Sequence, residues 1–99
     1  MNNEKITEGQ RYAIRGLLDA CTDSELTHPA RMYILSYLTN REIRSSSEIL
    51  LREWRVLRNS AYPNWNEGDW NTLNPEFKKR VMYFYDQYRE SELGQLRMF

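Results

Sequence analysis

Residues 39–54, with the sequence TNREIRSSSEILLREW, constrain the fold of this chain more than any other stretch. Ser45 and Glu48 have the spacing of an S-x-x-E capping box, in which the serine hydroxyl and the glutamate carboxylate bind free backbone amides at a helix start. The spacing therefore predicts a helix that begins at Ser45 or Ser46. A basic turn at residues 41–44 then joins this helix to a preceding one, so the segment predicts two helices and a tight connection.

Two helices are predicted in the first 40 residues from their end signals. The first begins at about Glu8, directly after Thr7, which opens a T-x-x-Q capping box. The second begins at Thr27 as N-cap, with Pro29 in the first turn, where a missing backbone amide costs nothing. It ends at Asn40, because asparagine tolerates the left-handed conformation that often closes a helix.

The third helix is predicted to run from about Ser46 to Arg58, and a fourth to begin after Asn74 as N-cap. Between them, residues 59–75 form a connection rich in Asn and aromatic residues, much longer than the usual 4–6 or so residues. Gly94 is predicted to end the fourth helix, with the last residues, 95–99, frayed or docked through Leu96 and Phe99.

The apolar residues of these helices recur at helical spacing and predict one core. Its predicted members are Ile14, Leu17, Leu18, Ile34, Leu38, Leu50, Trp54, Leu57, Phe77, Val81 and Phe84. Ile49 and Val56 are expected to widen the inner face of the third helix, Tyr37 to belong to that of the second, and Met32 and Leu35 to lie off it. No strand alternation of useful length is present. We therefore expect an all-α fold, a compact bundle of about four helices, as a single domain over residues 1–99.

Composition excludes several classes of protein. The net charge is zero, so no global field attracts nucleic acid or an anionic membrane, although residues 31–60 carry six arginines and only three glutamates. No apolar run approaches the roughly 20 residues that span a bilayer, and residues 1–11 lack the pattern of a signal peptide. Cys21 is the only cysteine; it continues an apolar stripe and fits a reducing compartment. We expect a cytoplasmic protein without a membrane partner.

Residues that support catalysis or metal binding are sparse. His28 is the only histidine, whereas zinc sites need three or four ligands of suitable type. Glu67 and Asp69 flank Gly68, but a calcium site needs several more oxygens. The glycines are isolated, so no phosphate-binding glycine loop exists. We therefore expect a non-enzymatic protein with no catalytic residues, no metal and no cofactor.

Arginines in and after the basic turn form the first candidate site. Three of them step by three residues along the third helix, and arginine suits phosphate because its planar fork makes two parallel hydrogen bonds. The candidates for contact with DNA or RNA are Arg41, Arg44, Arg52, Arg55 and Arg58. The alternative interpretation is a solvated face with a Glu48–Arg52 ion pair.

Aromatic residues in the long connection form the second candidate site. Tyr62, Trp65 and Trp70 can stack on bases or anchor a protein partner. Alternatively they fold back and cover the helices. Tyr83 and Tyr85 lie near the edge of the apolar stripe of the fourth helix and can extend an exposed aromatic patch.

Parts of the chain resemble a small helical module of phage and bacterial proteins. The resemblance is carried by I-T-x-x-Q at residues 6–10, by R-E-I-R-S-S-S-E-I at residues 41–49 and by Glu53, and it covers about residues 6–59. Asn40 stands where that module usually has glycine, and Leu50 where it usually has threonine. The module often accompanies phage recombination and replication functions, including single-strand annealing proteins. The resemblance implies a phage or mobile-element setting rather than a particular activity.

Two functions remain open at this point. One is an accessory protein of nucleic-acid-processing machinery that contacts DNA or RNA through the arginines. The other is a phage-type inhibitor, for example an anti-CRISPR-like anti-defence protein, that binds a host protein through its aromatic surface.

Overall fold

Four α-helices dominate the computed structural model, which describes the backbone of residues 4–98 and the side chains of residues 4–91. The helices are α1 (Glu8–Thr22), α2 (His28–Thr39), α3 (Leu51–Ala61) and α4 (Pro75–Met98), and two 3-10 turns lie at Ser46–Glu48 and Trp65–Glu67. No β-strand occurs in this described part of the chain, so the all-α class and the compact four-helix bundle are confirmed.

The predicted start of α1 and the predicted start and end of α2 are confirmed by individual hydrogen bonds and backbone angles. The Thr7 Oγ1 accepts from the Gln10 amide at 3.2 Å, and the Thr7 amide donates back to the Gln10 side chain at 2.9 Å. The Thr27 hydroxyl accepts from the Ala30 amide at 3.3 Å. Asn40 closes α2 with φ 58°, in the left-handed region. Local side-chain chemistry therefore suffices to set these boundaries.

The predicted end of α4 is wrong, because the helix continues past Gly94 to Met98. A single glycine inside a helix costs only about 1 kcal/mol relative to alanine, which does not terminate it. Its predicted start is confirmed: the Asn74 side-chain oxygen accepts from the Glu76 amide at 3.1 Å. The prediction for Leu96 and Phe99 concerns side chains that lie outside the described residues.

The predicted start of the third helix is also wrong. Ser45 and Glu48 do form the predicted pair, because the Ser45 amide donates to Glu48 Oε2 at 2.7 Å and Ser45 Oγ accepts from the Ser47 amide at 3.3 Å. They close only the 3-10 turn, after which Ile49 and Leu50 are extended. The α-helix begins at Leu51, after the Leu50 amide has donated to Glu53 Oε1 at 2.9 Å.

Residues near the chain start explain why the backbone stays extended at this point. The Ile6 amide donates to the Ile49 carbonyl at 3.3 Å, and the Leu51 amide donates to the Glu4 carbonyl at 2.7 Å, in one antiparallel bridge. Ile49 is fully buried. The bridge and this burial favour an extended segment over an earlier helix start, and a contact across more than 40 residues of sequence is invisible to local capping rules.

The core lies where α4 packs on the other three helices. Among its predicted members, Leu38, Leu50 and Phe84 are half-buried and the rest are buried. Leu26, Ile43 and Ala61 are buried as well, although the helical stripes did not point to them. One domain-sized core thus contains almost all of the predicted apolar set.

Four predictions about single positions in the core are wrong. Val56 is 64% exposed and Tyr37 is 50% exposed, whereas Met32 and Leu35 are buried. The prediction for Val56 is wrong because Trp54 and Leu57 set the inner face of α3. At 100° per residue, Val56 lies about 160° from Trp54 around the helix axis. Met32 and Leu35 lie on a second side of α2, where they line a cavity together with residues of α1 and of the turn at Ser45.

Candidate nucleic-acid interface

Arg58 and Trp65 meet where α3 runs into the connection that precedes α4. The guanidinium carbon of Arg58 lies 3.6 Å from the centroid of the Trp65 ring, well within the range of a cation–π contact. The same guanidinium donates to the Asn59 side-chain oxygen at 3.3 Å. Arg58 is half-buried, so its position is fixed by the aromatic connection as well as by the helix.

Trp70 completes this corner of the molecule. Its ring centroid lies 6.2 Å from that of Trp65 and 5.5 Å from that of Tyr62, which it meets edge-on. Gly68, with φ 84°, ends the 3-10 turn between the two tryptophans in a conformation that favours glycine. We call Arg58, Trp65 and Trp70 together the tryptophan platform.

The connection spans residues 62–74 in the structure. Some of its aromatic residues cover the helices and others are exposed, so each of the two predicted alternatives holds for part of it. Tyr62 and Leu73 pack against the core, and burial raises the pKa of the Tyr62 hydroxyl. At its end, the Asn74 amide donates to the Ala61 carbonyl at 2.8 Å. Trp70, in contrast, remains 47% exposed. The inner residues therefore hold the connection in place, and the outer residues present a ring to solvent.

Arg52 and Arg55 continue the platform along the outer side of α3. Both side chains are exposed. Residues three apart on a helix are displaced by about 60° around its axis, so the row of arginines curves from the solvent side at Arg52 to the platform at Arg58. The structure thus joins two sites that the sequence presents separately into one surface, which we call the α3 surface: Arg52, Arg55 and the tryptophan platform.

Arg41 has a different role from these arginines. Its Nε and Nη2 donate to the two carboxylate oxygens of Glu53 at 2.8 and 2.7 Å, and Nη2 also donates to the Glu48 carbonyl at 2.7 Å. The hydrogen bond from Arg41 holds the pKa of Glu53 below its ordinary value. Arg41 therefore fastens the turn between α2 and α3 to the start of α3, and these donors are not directed to a ligand.

Arg44 and Glu48 complete the description of the basic turn. Arg44 Nε donates to Glu42 at 3.1 Å, and both side chains are mostly exposed. The Glu48 carboxylate accepts from the backbone amides of Arg44 and Ser45, which lower its pKa. The Glu48 carboxylate thus caps the turn. Its hydrogen-bond partners are these backbone amides rather than Arg52, with which the sequence offered an ion pair.

A second aromatic surface lies between α2 and α4. The sequence indicated Tyr83 and Tyr85 for such a patch; Tyr83 belongs to it, whereas Tyr85 is half-buried and packs against the core. We call this surface the aromatic row; ring centroids are 4.8 Å apart for Tyr33–Tyr37, 5.2 Å for Tyr37–Phe84, 5.4 Å for Tyr33–Tyr88 and 5.7 Å for Tyr83–Phe84. Tyr37 and Tyr83 are 50% and 59% exposed. The signal that could have located it is the four-residue spacing of Tyr33 and Tyr37 on one side of α2.

The residues weighed for catalysis or metal binding have structural contacts. His28 Nε2 lies 3.2 Å from the Arg44 carbonyl oxygen. Asp69 accepts from the backbone amides of Asn71 and Thr72 at 2.9 and 3.0 Å and holds the loop. Over the residues that the structure describes, no group of three or more His, Cys, Asp or Glu side chains is placed to hold a metal ion.

Comparison of the chain with protein-family models, with curated proteins and with solved structures finds no match in any of the three. The resemblance to the phage module therefore stays a prediction. Among the helices in the described part of the chain, none is both long enough and apolar enough to cross a membrane.

Proposed function

We propose that this protein is a non-enzymatic accessory protein that binds single-stranded nucleic acid through the α3 surface. The observation that carries the proposal is the contact between Arg58 and Trp65. It joins the end of the arginine row to the tryptophans, and basic residues beside aromatic rings are the combination with which many proteins bind single strands.

Proteins that bind single strands without sequence preference neutralise the backbone with basic residues and stack bases on aromatic rings. Arg52 and Arg55 are exposed and supply the charges. Trp70 supplies an exposed ring held by its contacts with Tyr62 and Trp65. A stacked base contributes about 1–3 kcal/mol, so even one ring adds substantially to the few phosphate contacts this surface can make.

The charge balance of the chain supports a modest, strongly salt-dependent affinity. The net charge is zero, so attraction comes from the local arginine row and is screened within about 10 Å at 0.1 M salt. This fits an accessory role in which a larger assembly supplies the main affinity. The resemblance to the phage module supports a setting in phage or mobile-element recombination or replication.

A second candidate function is inhibition of a host protein through the aromatic row. Tyr37 and Tyr83 have large, exposed side chains whose rings contact those of Tyr33 and Phe84, respectively. Tyrosine, tryptophan and arginine are enriched among the residues that carry binding energy at protein interfaces. Because the aromatic row lies on α2 and α4, it can be mutated separately from the α3 surface.

Fluorescence anisotropy with labelled single-stranded oligonucleotides tests the proposal. The double variant Arg52→Gln with Arg55→Gln should bind more weakly to all sequences. The slope of log affinity against log salt should fall by up to about two, because each lost phosphate contact removes nearly one from it. The matched control, Lys79→Gln with Arg89→Gln, removes two exposed charges from α4 and should bind like the parent protein.

Two outcomes would contradict the nucleic-acid proposal. One is no binding by the parent protein at low salt. The other is an equal loss of affinity in both double variants, which would mean that positive charge anywhere on the surface contributes equally to binding. The variant Tyr37→Ser with Tyr83→Ser separates the second candidate, because it should keep oligonucleotide affinity and lose only binding to a protein partner.

A further inference from the structure

A cavity of about 250 Å³ lies between α1, α2 and the 3-10 turn at Ser46–Glu48. The residues that line it come from positions 8–46, so it is separate from the α3 surface. Its polar lining includes Arg11, Arg15, His28, Arg31, Ser45 and Ser46. Three arginines and two serine hydroxyls around one cavity form an unusual concentration of donors for a chain of zero net charge.

Arg31 is the buried member of this group. It is 8% exposed, and its Nη2 donates to the two Asp19 carboxylate oxygens at 3.2 and 3.3 Å. Its Nε is buried and has no hydrogen-bond partner in the described part of the chain. Buried donors are nearly always hydrogen-bonded in folded proteins. This unused donor belongs to a side chain that lines the cavity.

Arg11 and Arg15 stand at the exposed side of the cavity. Arg11 Nε donates to Ser46 Oγ at 3.0 Å, which fixes the direction of its guanidinium. Arg15 forms a long, exposed ion pair of 3.7 Å with Glu25, a type of contact that contributes little. Most donors of these two side chains thus stay available for a ligand at the mouth.

Few carboxylates stand near the arginines of the cavity to offset their positive charge. Among the residues that line the cavity, Glu8 is the one carboxylate, whereas Asp19 is directed to Arg31 and Glu25 to Arg15. The remaining lining is apolar and includes Ile14, Leu18, Met32 and Leu35. A ligand that fits has a compact anionic head and a small, less polar body.

We propose that this cavity binds a phosphate monoester. Arginine forks and serine hydroxyls bind phosphate oxygens through strong charge-assisted hydrogen bonds. A phosphate presents three acceptor oxygens to donors that line the cavity from α1, α2 and the turn. The volume lies below the range of about 300–1,000 Å³ typical of drug-sized ligands, so the ligand is small or is the end of a longer molecule. Two sources share this chemistry: a free nucleoside monophosphate and the 5′-phosphate of a nucleic-acid strand.

Titration of the ¹⁵N-labelled protein by NMR tests the proposal with inorganic phosphate, adenosine monophosphate and adenosine. Phosphate and the monophosphate should shift the amide signals of Ser45 and Ser46 and the Nε–H signal of Arg31. Adenosine, which lacks the phosphate, should not. The proposal is overturned if neither phosphate compound shifts these signals at millimolar concentration, or if adenosine shifts them equally.

Variants separate the cavity from general charge effects. Arg11→Gln should weaken affinity for the monophosphate about tenfold, as expected for one lost charge-assisted hydrogen bond. Lys79→Gln, which removes an exposed charge on α4, should leave that affinity unchanged. An equal loss in both variants would overturn the proposal. Arg31→Gln is not used for the test, because it leaves Asp19 without its buried partner and can prevent folding. Arg11 is exposed, so Arg11→Gln avoids this problem.

The source of the phosphate follows from a pair of oligonucleotides that differ only at the 5′ end. Tighter binding of the 5′-phosphorylated strand, lost in Arg11→Gln, identifies the end of a strand as the ligand. Equal binding of both strands, together with binding of the monophosphate, identifies a free small phosphate. The proposal is independent of the α3 surface, because none of the residues that line the cavity belongs to that surface.

Discussion

The guanidinium of Arg58 covers the ring of Trp65 at a distance of 3.6 Å. This contact fixes the start of the connection against the end of α3, and it brings the arginine row and the tryptophans onto one surface. It also gives Arg58 a dual role, because the same side chain supports the connection and supplies a charge to the α3 surface. Arg55, one turn earlier and exposed, has no such structural role in our account.

Replacing Arg58 should therefore cost stability where replacing Arg55 does not. We expect Arg58→Ala to lower the free energy of unfolding by about 0.5–1 kcal/mol, the usual size of a partly exposed cation–π contact. Arg55→Ala is the matched control and should change it by less than about 0.5 kcal/mol. Denaturant unfolding measures both values, and equal effects would show that the Arg58–Trp65 contact contributes nothing.

Arg41 and Glu53 should make stability depend on pH. The pKa of Glu53 is lowered, first by its hydrogen bond from Arg41, so the unfolded chain takes up a proton more readily than the folded one. The contribution is present above the unfolded pKa of about 4.3 and is lost as the pH falls through the lower, folded pKa.

Glu53→Gln tests this dependence. The variant should lose about 1–2 kcal/mol of stability at pH 7, since Arg41 is 37% exposed and solvent weakens the pair. The difference from the parent protein should shrink as the pH drops below about 4. A difference that stays constant from pH 7 to pH 3 would mean that ionisation of Glu53 is not its cause.

Ser45 caps a 3-10 turn rather than an α-helix, and this limits what its hydroxyl contributes. The hydroxyl accepts from the Ser47 amide at a distance of 3.3 Å. We expect Ser45→Ala to cost about 0.5–1 kcal/mol, at the low end for lost N-caps. Thr7→Ala, which removes the cap of a full α-helix, is the comparison and should cost at least as much. Thermal unfolding measures both variants. A larger loss of stability in Ser45→Ala than in Thr7→Ala would contradict the assignment of Ser45 as the cap of a short turn.

Cys21 should be unreactive in the folded protein. Its side chain is fully buried, and burial raises the pKa of the thiol to about 11. Because the thiolate is the nucleophile, a thiol-specific reagent at pH 8 should react at a rate set by unfolding. Adding denaturant should make the reaction fast. Rapid modification of the native protein, with no loss of helical signal, would contradict the buried position.

The sequence predicts this fold best where a boundary depends on neighbouring residues. The caps at Thr7, Thr27 and Asn74 each bind an amide two or three residues away, so the sequence contains all that is needed to locate them. The start of α3 could not be found in this way. It depends on the bridge between Lys5 and Leu50, which only the tertiary fold creates.

The same distinction applies to the candidate site. Residue type and spacing identified the arginines and the aromatic residues, and these remain predictions about binding. Spacing alone could not show that Arg41 is hydrogen-bonded to Glu53, 12 residues away in the sequence. It therefore could not distinguish the structural role of Arg41 from that of Arg52. It also could not show that Arg58 lies on Trp65, because that contact depends on how the connection folds back after Ala61.

The central claim is that Arg52, Arg55, Arg58, Trp65 and Trp70 act as one surface for single-stranded nucleic acid. NMR titration with a short unstructured oligonucleotide at low salt tests it most directly. We predict shifts in the indole N–H signals of Trp65 and Trp70 and in the Nε–H signals of the three arginines, all reversed by added salt. Shifts confined to the aromatic row at Tyr37 and Tyr83, or no shifts at all, would contradict it.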